Sequence, residues 1–321
     1  MIIETLVFVV VPLFALIAIG YAVAVSKLLG ADVGHALGAF VTTIAVPALL
    51  FRTLATADLA GVSPWWLWAT YYPVLFSVGI GAALLVRKVF RREARAAVVA
   101  AISSGFSNTA LLGIPLITAV YGDEALVPLS IVIAAHIPSV TIVSVIAMER
   151  AVVIDGYTQA RPMGEVMQAV VQKLLGNPIV LAIGSGVLWN VFGLPWPELL
   201  ERTLQPVAKS ASTVALISVG MSMLHYGIRG TLSIGVTLSV IKILVFPALV
   251  LLWGIYVTHL PGEWLSVLVL AAACPTGVMA YVFANQFGTG HAMSTNSISI
   301  TTMASIVTAS GWIWLLHALG Y

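Results

Sequence analysis

The sequence predicts an all-α polytopic membrane protein, with ten transmembrane helices arranged as two inverted five-helix repeats. Three observations carry this. Hydrophobic residues make up 60% of the 321 positions and charged residues 8%, and mean hydropathy is +1.08. A soluble domain of this length cannot bury that much apolar surface. Apolar runs long enough to cross a bilayer recur along the whole chain. Two of them, in corresponding places of the two halves, are interrupted by Gly and Pro.

About 20 apolar residues cross the hydrocarbon core, and by that measure the spans lie near 4–26, 34–54, 64–86, 96–121, 126–148, 172–192, 200–224, 231–257, 263–287 and 291–319. The first has no charged leader with a cleavage site and reads as a retained helix. Trp65, Trp66 and Trp68 open the third span, and Trp312 and Trp314 sit in the tenth, as an aromatic belt would place them. The polar stretch Glu149 to Gln172, with Asp155, Gly156, Arg161, Pro162 and Gly164, reads as a surface loop. It joins a first repeat (1–148) to a second (172–321) through a cytoplasmic linker (149–171).

Charge sets the orientation. Alternate loops give one side Lys27, Arg87, Lys88, Arg91, Arg92, Arg95, Arg150, Arg161, Lys173 and Arg229, and the other only Arg52 and Arg202. Both termini are therefore expected outside the cytoplasm. Five spans per half reverse the second half relative to the first. Pro12 and Gly20 recur as Pro178 and Gly186 at an offset of 166, and Gly122 recurs as Gly288. The single basic cluster is short and lies between apolar spans, so no nucleic-acid partner is expected. Cys274 is the only cysteine, which excludes an intrachain disulfide. Neither a metal nor a cofactor is expected.

The interrupted spans read Ser103-Ser104-Gly105-Phe106-Ser107-Asn108-Thr109-Ala110-Leu111-Leu112-Gly113-Ile114-Pro115 and Cys274-Pro275-Thr276-Gly277-Val278. Pro removes a donor and Gly loosens the helix. Unwound backbone at membrane depth must be buried by protein or face a watery cavity. A matched pair of such breaks marks the binding site of a secondary transporter.

Asn108-Thr109-Ala110-Leu111-Leu112-Gly113-Ile114-Pro115-Leu116, followed by Tyr121-Gly122, resembles the fourth-helix signature of the auxin efflux carrier (PIN-like) family. Val46-Pro47-Ala48-Leu49-Leu50-Phe51, Asn177-Pro178 and Pro275-Thr276-Gly277-Val278 resemble that family's second, sixth and ninth helices. The resemblance spans the chain. It implies a scaffold of spans 1, 2, 6 and 7, a mobile transport domain of spans 3–5 and 8–10, and a homodimer formed through the scaffold. It implies substrate contacts from Val46, Leu50, Asn108, Thr109, Gly113, Pro115, Pro275, Thr276 and Gly277. The short central loop resembles prokaryotic members, some of which look like dicarboxylate carriers, and implies a bacterial inner membrane. His136 stands where the plant carriers place glutamine, Leu50 where they place serine, and the third span has no acid. The resemblance thus implies neither auxin as substrate nor a carboxylate proton site.

Each candidate also has a plain reading. Asn108 could only tie helices together, or its amide and the N–H groups of a half-helix could hold a carboxylate. His136 could be a buried hydrogen-bond donor or a substrate or proton group. Lys242, deep in the eighth span, either pairs with something polar or supplies charge to an ion path, whereas Lys209 reads as snorkelling. Ser294, Ser297, Thr301, Ser305 and Thr308 share one helical face that packs helices, and Ser297 and Thr301 could also line the path. The expected function is an elevator-type secondary carrier of a small organic anion, with proton or sodium coupling. No zinc-protease helix, no nucleophile elbow and no pair of intramembrane acids is present, so an enzyme is not expected. A receptor, signalling module or channel on the same fold is the alternative.

Overall fold

The computed structural model describes residues 6–58, 63–157, 162–228, 230 and 232–321. Arg161 and Arg229, used in the charge count, lie outside the described residues, as does the start of the first span.

The described residues form α1 (Val11–Val25), α2 (Ala31–Phe40), α3 (Val46–Thr56), α4 (Pro64–Lys88), α5 (Ala94–Gly105), α6 (Ile114–Tyr121), α7 (Leu126–Ile154), α8 (Met163–Leu175), α9 (Pro178–Val191), α10 (Glu198–Tyr226), α11 (Leu232–Val240), α12 (Phe246–Trp253), α13 (Gly262–Ala273), α14 (Met279–Phe287) and α15 (His291–Ala318). No strand is present among them. Seven helical stretches are long and apolar enough to cross a membrane, and α8 with α9 would make an eighth despite a 70° bend. The remaining apolar helices are shorter, because the fourth and ninth expected spans are broken where the sequence placed the breaks.

Proline shapes several of these helices. π-Turns cover Leu6–Val10, Val41–Ala45, Thr109–Gly113 and Ile241–Val245. Each is followed at the same spacing by a proline: Pro12, Pro47, Pro115 and Pro247. A proline lacks an N–H and its ring crowds the carbonyl four residues back. A turn widened by one residue relieves that crowding while the helix continues.

The expected loop Glu149 to Gln172 is largely helical. α7 continues to Ile154, and α8 begins at Met163. Val166 and Val170, one turn apart, bury one face of α8 while Glu165, Gln168 and Lys173 stay outside. The polar residues misled because an amphipathic helix needs only one apolar stripe. The tryptophan belt also needs correction. Trp65, Trp66 and Trp314 are exposed, but the indole N–H of Trp68 donates to the Ile131 carbonyl and that of Trp312 to Ile243, each at 2.9 Å. An indole that enters the bundle needs such an acceptor.

α1, α2, α3, α9 and α10 pack together. Their closest approaches are made by glycines. A Cβ on Gly20 would lie 2.2 Å from the Ile217 carbonyl oxygen, and one on Gly220 would lie 2.0 Å from that of Ile17. A Cβ on Gly186 would lie 2.8 Å from the Phe51 carbonyl oxygen. At one end, Arg52 on α3 makes a bidentate ion pair with Glu201 on α10, which also accepts from the Trp196 indole. In the other group of helices, Asp155 caps α5 by accepting from the amides of Ala94 (2.8 Å) and Arg95 (3.0 Å) and from the Arg95 guanidinium. Partial burial pushes the Asp155 carboxyl up, but these donors outweigh it and hold the carboxyl below its ordinary value.

Two outcomes follow. Gly220→Ala should destabilise the detergent-solubilised protein by about 1–3 kcal/mol through overpacking. Gly184→Ala, which meets nothing within 4 Å, should not; equal melting temperatures would contradict the close α1–α10 packing. Asp155→Ala should cost about 1–2 kcal/mol at neutral pH. Because the folded carboxyl titrates lower than the unfolded one, that contribution is present above pH ~4 and is lost as pH falls through the folded value. The two melting temperatures should therefore converge in acid.

Candidate functional site

Each broken span ends a helix inside the protein, leaving carbonyls at one end and amides at the other without intrahelical partners. After α5 the chain extends through Phe106, Ser107 and Asn108 before the π-turn Thr109–Gly113 leads into α6. After α13 it extends through Cys274 and Pro275 before α14. The two extended stretches lie antiparallel, with Ser107 opposite Thr276. The Asn108 amide donates to the Pro275 carbonyl at 2.9 Å, and the Gly277 amide to the Phe106 carbonyl at 2.8 Å. Each break thus satisfies part of the other.

Glycine at position 277 is a steric requirement, since a Cβ there would lie 2.4 Å from the Phe106 ring. That ring stacks on His136, centroids 4.7 Å apart, and so has little room to retreat. Gly113 faces the Cys274 sulfur, 3.2 Å from where a Cβ would stand.

A shell of polar side chains completes the crossing. The Thr276 amide donates to Thr301 Oγ1 at 3.0 Å, and the Thr276 hydroxyl donates to the Ser103 carbonyl at 2.8 Å. Thr301 in turn donates to the Ser297 carbonyl at 2.6 Å. The Ser107 amide donates to His136 Nε2 at 3.3 Å, and the Ser107 hydroxyl pairs with the buried Tyr71 hydroxyl at 3.2 Å. As an acceptor at Nε2, His136 is a neutral imidazole with its proton on Nδ1. Among the described residues that buried Nδ1 has no partner, nor do the buried hydroxyls of Ser104 and Ser297. Lys242, wholly buried, donates from Nζ to the carbonyls of Ala272 (2.5 Å) and Cys274 (2.6 Å).

Asn108 caps the start of the second half-helix. Its Oδ1 accepts from the Leu111 amide at 3.3 Å, and its carbonyl accepts from Leu112 and Gly113. Among the described residues its carboxamide nitrogen has no partner, nor do the amides of Thr109 and Ala110. These donors lie at the positive end of a half-helix.

The structure therefore brings together Asn108, Thr109, Gly113, His136, Lys242, Pro275, Thr276, Gly277, Ser297 and Thr301. Pro115 is buried at the second position of α6 and acts on the break through backbone geometry. Val46 and Leu50 are fully buried in the same apolar cluster as Leu112 and Ile114, with no polar contact to the crossing. Lys209 is exposed, as snorkelling requires, and the hydroxyl face of α15 is buried at Ser294, Ser297, Thr301 and Ser305. Sequence reasoning missed Tyr71, Phe106 and Ser107. Tyr71 left a signal, as a polar-tipped residue deep in an apolar span; the other two were inside the motif but drew no role. A cavity of about 160 Å³ reaches the break at Gly105 and Phe106, but its walls between α4, α5 and α7 are apolar and include none of the other site residues. A larger one, about 680 Å³, lies between α1, α2 and α10 and is lined by Lys27, Asp32, His35 and His225.

Comparison with known proteins decides the class. Residues 5–313 match the family described as membrane transport protein. This chain belongs to that family, the auxin efflux carrier family. It is 24% identical to a putative malonate transporter of Rhizobium meliloti (strain 1021), over 96% of this chain and 95% of that protein. It is 22% identical to the uncharacterized transporter YfdV of Escherichia coli (strain K12), over 95% of each. It is also 22% identical to auxin efflux carrier component 8 of Arabidopsis thaliana, over 95% of this chain and 96% of that one. The chain is an integral, multi-pass membrane transporter and not an enzyme.

Thr301→Val tests the shell. Valine keeps the shape but leaves the buried Thr276 amide without its acceptor, at a cost of about 1–3 kcal/mol. The melting temperature of the purified protein should fall accordingly, and an unchanged value would remove Thr301 from the crossing.

Proposed function

We propose that this transporter carries a small organic anion of the dicarboxylate class, held beside the crossing of the two broken helices. The observation that carries the reading is the set of unpaired donors at the start of the second half-helix: the Asn108 carboxamide nitrogen and the amides of Thr109 and Ala110. Half-helix N-termini suit carboxylates because their N–H groups and dipole meet negative charge without a buried counter-ion. The relative that carries the name putative malonate transporter agrees with that chemistry.

The mechanism we propose is an elevator. α1, α2, α3, α9 and α10 serve as the scaffold, and α4 to α7 with α11 to α15 carry the crossing past it. Glycine-tight packing within the first group favours a rigid unit. The second group is joined to it across a mostly apolar boundary and through polar contacts at one end of α10, His225 with Tyr281 at 3.4 Å and the Ser299 hydroxyl donating to the Gly227 carbonyl at 3.0 Å. The ten-helix inverted repeat gains support from the glycines. Gly20 packs on the backbone of Ile217, and exchanging the two halves, with Gly20 moved forward and Ile217 back by the same 166 residues, gives Gly186 packing on Phe51. Lys and Arg asymmetry supports termini outside the cytoplasm of a bacterial inner membrane.

The experiment is uptake of labelled malonate and related acids into proteoliposomes. Asn108→Ala should leave the protein folded and weaken transport roughly ten- to a hundredfold, the loss of one hydrogen bond to a charged group at about 1.5–3 kcal/mol. Asn108→Asp should be worse, since it sets a negative charge against the substrate. Wild-type behaviour of Asn108→Asp would overturn an anion held there.

A further inference from the structure

We propose that Lys242 is a built-in counter-cation standing where a coupling ion would bind, so that carriage by this transporter is independent of sodium. The proposal rests on the transport reading above and concerns what accompanies the substrate. α13 ends at Ala273; the Cys274 amide closes its last turn on the Leu270 carbonyl at 3.0 Å, and the carbonyls of Ala271, Ala272 and Ala273 have no intrahelical partners. They form the negative end of the half-helix dipole, and Cys274 adds a carbonyl from the unwound stretch. In broken-helix transporters it is such unwound carbonyls and half-helix C-terminal ends that coordinate the coupling cation. Here an ammonium already holds them. Lys242 Nζ donates to Ala272 and Cys274 at 2.5 and 2.6 Å, short distances that match a charged donor.

The remaining surroundings agree. The ammonium lies 5.1 Å from the Phe246 ring centroid, a cation–π distance, and among the described residues no carboxylate pairs with it. Its counter-charge is therefore supplied by carbonyl dipoles and a ring face, the groups that would otherwise solvate a bare cation. Lys242 sits in the π-turn Ile241–Val245, whose widened turn precedes Pro247. The other titratable groups at the crossing are the neutral His136, the Tyr71 hydroxyl and the Cys274 thiol, which donates to the Leu270 carbonyl. None contributes a negative charge to compete for the ammonium. In an elevator the moving group then keeps one positive charge throughout the cycle, which offsets one charge of a dicarboxylate without a co-transported ion.

A purely structural cap would predict lost stability on substitution and nothing more. A counter-cation predicts replacement by free cations. The test measures thermal unfolding and malonate uptake for wild type, Lys242→Ala and Lys242→Met in sodium, ammonium or choline chloride at equal ionic strength. Wild type should show the same melting temperature and uptake in all three. Lys242→Ala, which leaves the carbonyls facing an empty space, should lose at least tenfold of its uptake in choline. Sodium or ammonium should restore much of it and raise the melting temperature, as ligand binding to the folded state requires. Lys242→Met fills the space without charge and should respond to neither. Sodium-dependent uptake or sodium stabilisation of wild type would overturn the proposal, whatever the variants do. So would a folded Lys242→Ala protein indifferent to all three cations. Should wild type carry no dicarboxylate, the substrate reading fails, and the thermal responses still decide the role of Lys242.

Discussion

The structure depends on one constraint: backbone polar groups at membrane depth must find partners within the protein. Two helices stop inside the bundle, and each stop strands amides and carbonyls that water cannot reach. The protein solves most of this by laying the two extended stretches against each other, so that Asn108 and Gly277 donate across the crossing. Thr301, His136 and Lys242 take up the groups that the crossing itself cannot pair. What remains is uneven. The carbonyl end of α13 is neutralised by an ammonium, while the amide end after Asn108 is left open. On the proposed reading, such a site would favour negative ligands by subtraction, because the cation is already inside and the free groups are donors.

The same constraint explains the prolines. A proline placed within a membrane helix would ordinarily cost a hydrogen bond and a clash. Four times this chain meets that cost with a π-turn at a fixed distance before the proline. Two of the four do more than relieve strain. The turn before Pro115 is capped by Asn108 and sets the start of the half-helix, and the turn before Pro247 carries Lys242. Local widening of a helix is therefore how the chain brings its polar groups to bear without a loop.

Much of the site was legible because its causes are local. Gly113, Pro115, Pro275 and Gly277 are residues that interrupt a helix wherever they stand, so the breaks could be placed from sequence alone. Asn108 was visible as an amide in an apolar run. The parts that were not legible depend on what another helix brings. Nothing local distinguishes a Lys242 that reaches two carbonyls at the end of α13 and just beyond it from one that faces an aqueous path, and nothing marks Phe106 as the ring that fixes both His136 and Gly277. The helix α8 was hidden for a different reason, since its glutamate, glutamines and lysine are polar in composition but leave an apolar stripe. Trp68 and Trp312 were misplaced because belt and interior tryptophans differ only in whether a carbonyl awaits the indole.

Division of labour between the helices follows from their contacts. Where α1 meets α10 and α3 meets α9, glycines let backbones approach to distances that no side chain could enter. Such contacts are stiff, because a shift of even half an ångström meets backbone rather than a flexible side chain. Around the crossing the packing residues are serine and threonine, which fold their hydroxyls back onto their own helices, as Ser103, Thr301 and Ser305 do. Hydroxyls satisfied within their own helix let helices pack closely without tying one helix to the next. The crossing is held instead by the few bonds that run between elements: Thr276 to Thr301 and Ser103, Ser107 to His136 and Tyr71, Lys242 to α13. These all lie within one group of helices, α4 to α7 and α11 to α15. In the elevator proposed above, the polar bonds that define the site would therefore move with it, and none of them would have to break for this group to slide past the glycine-packed one.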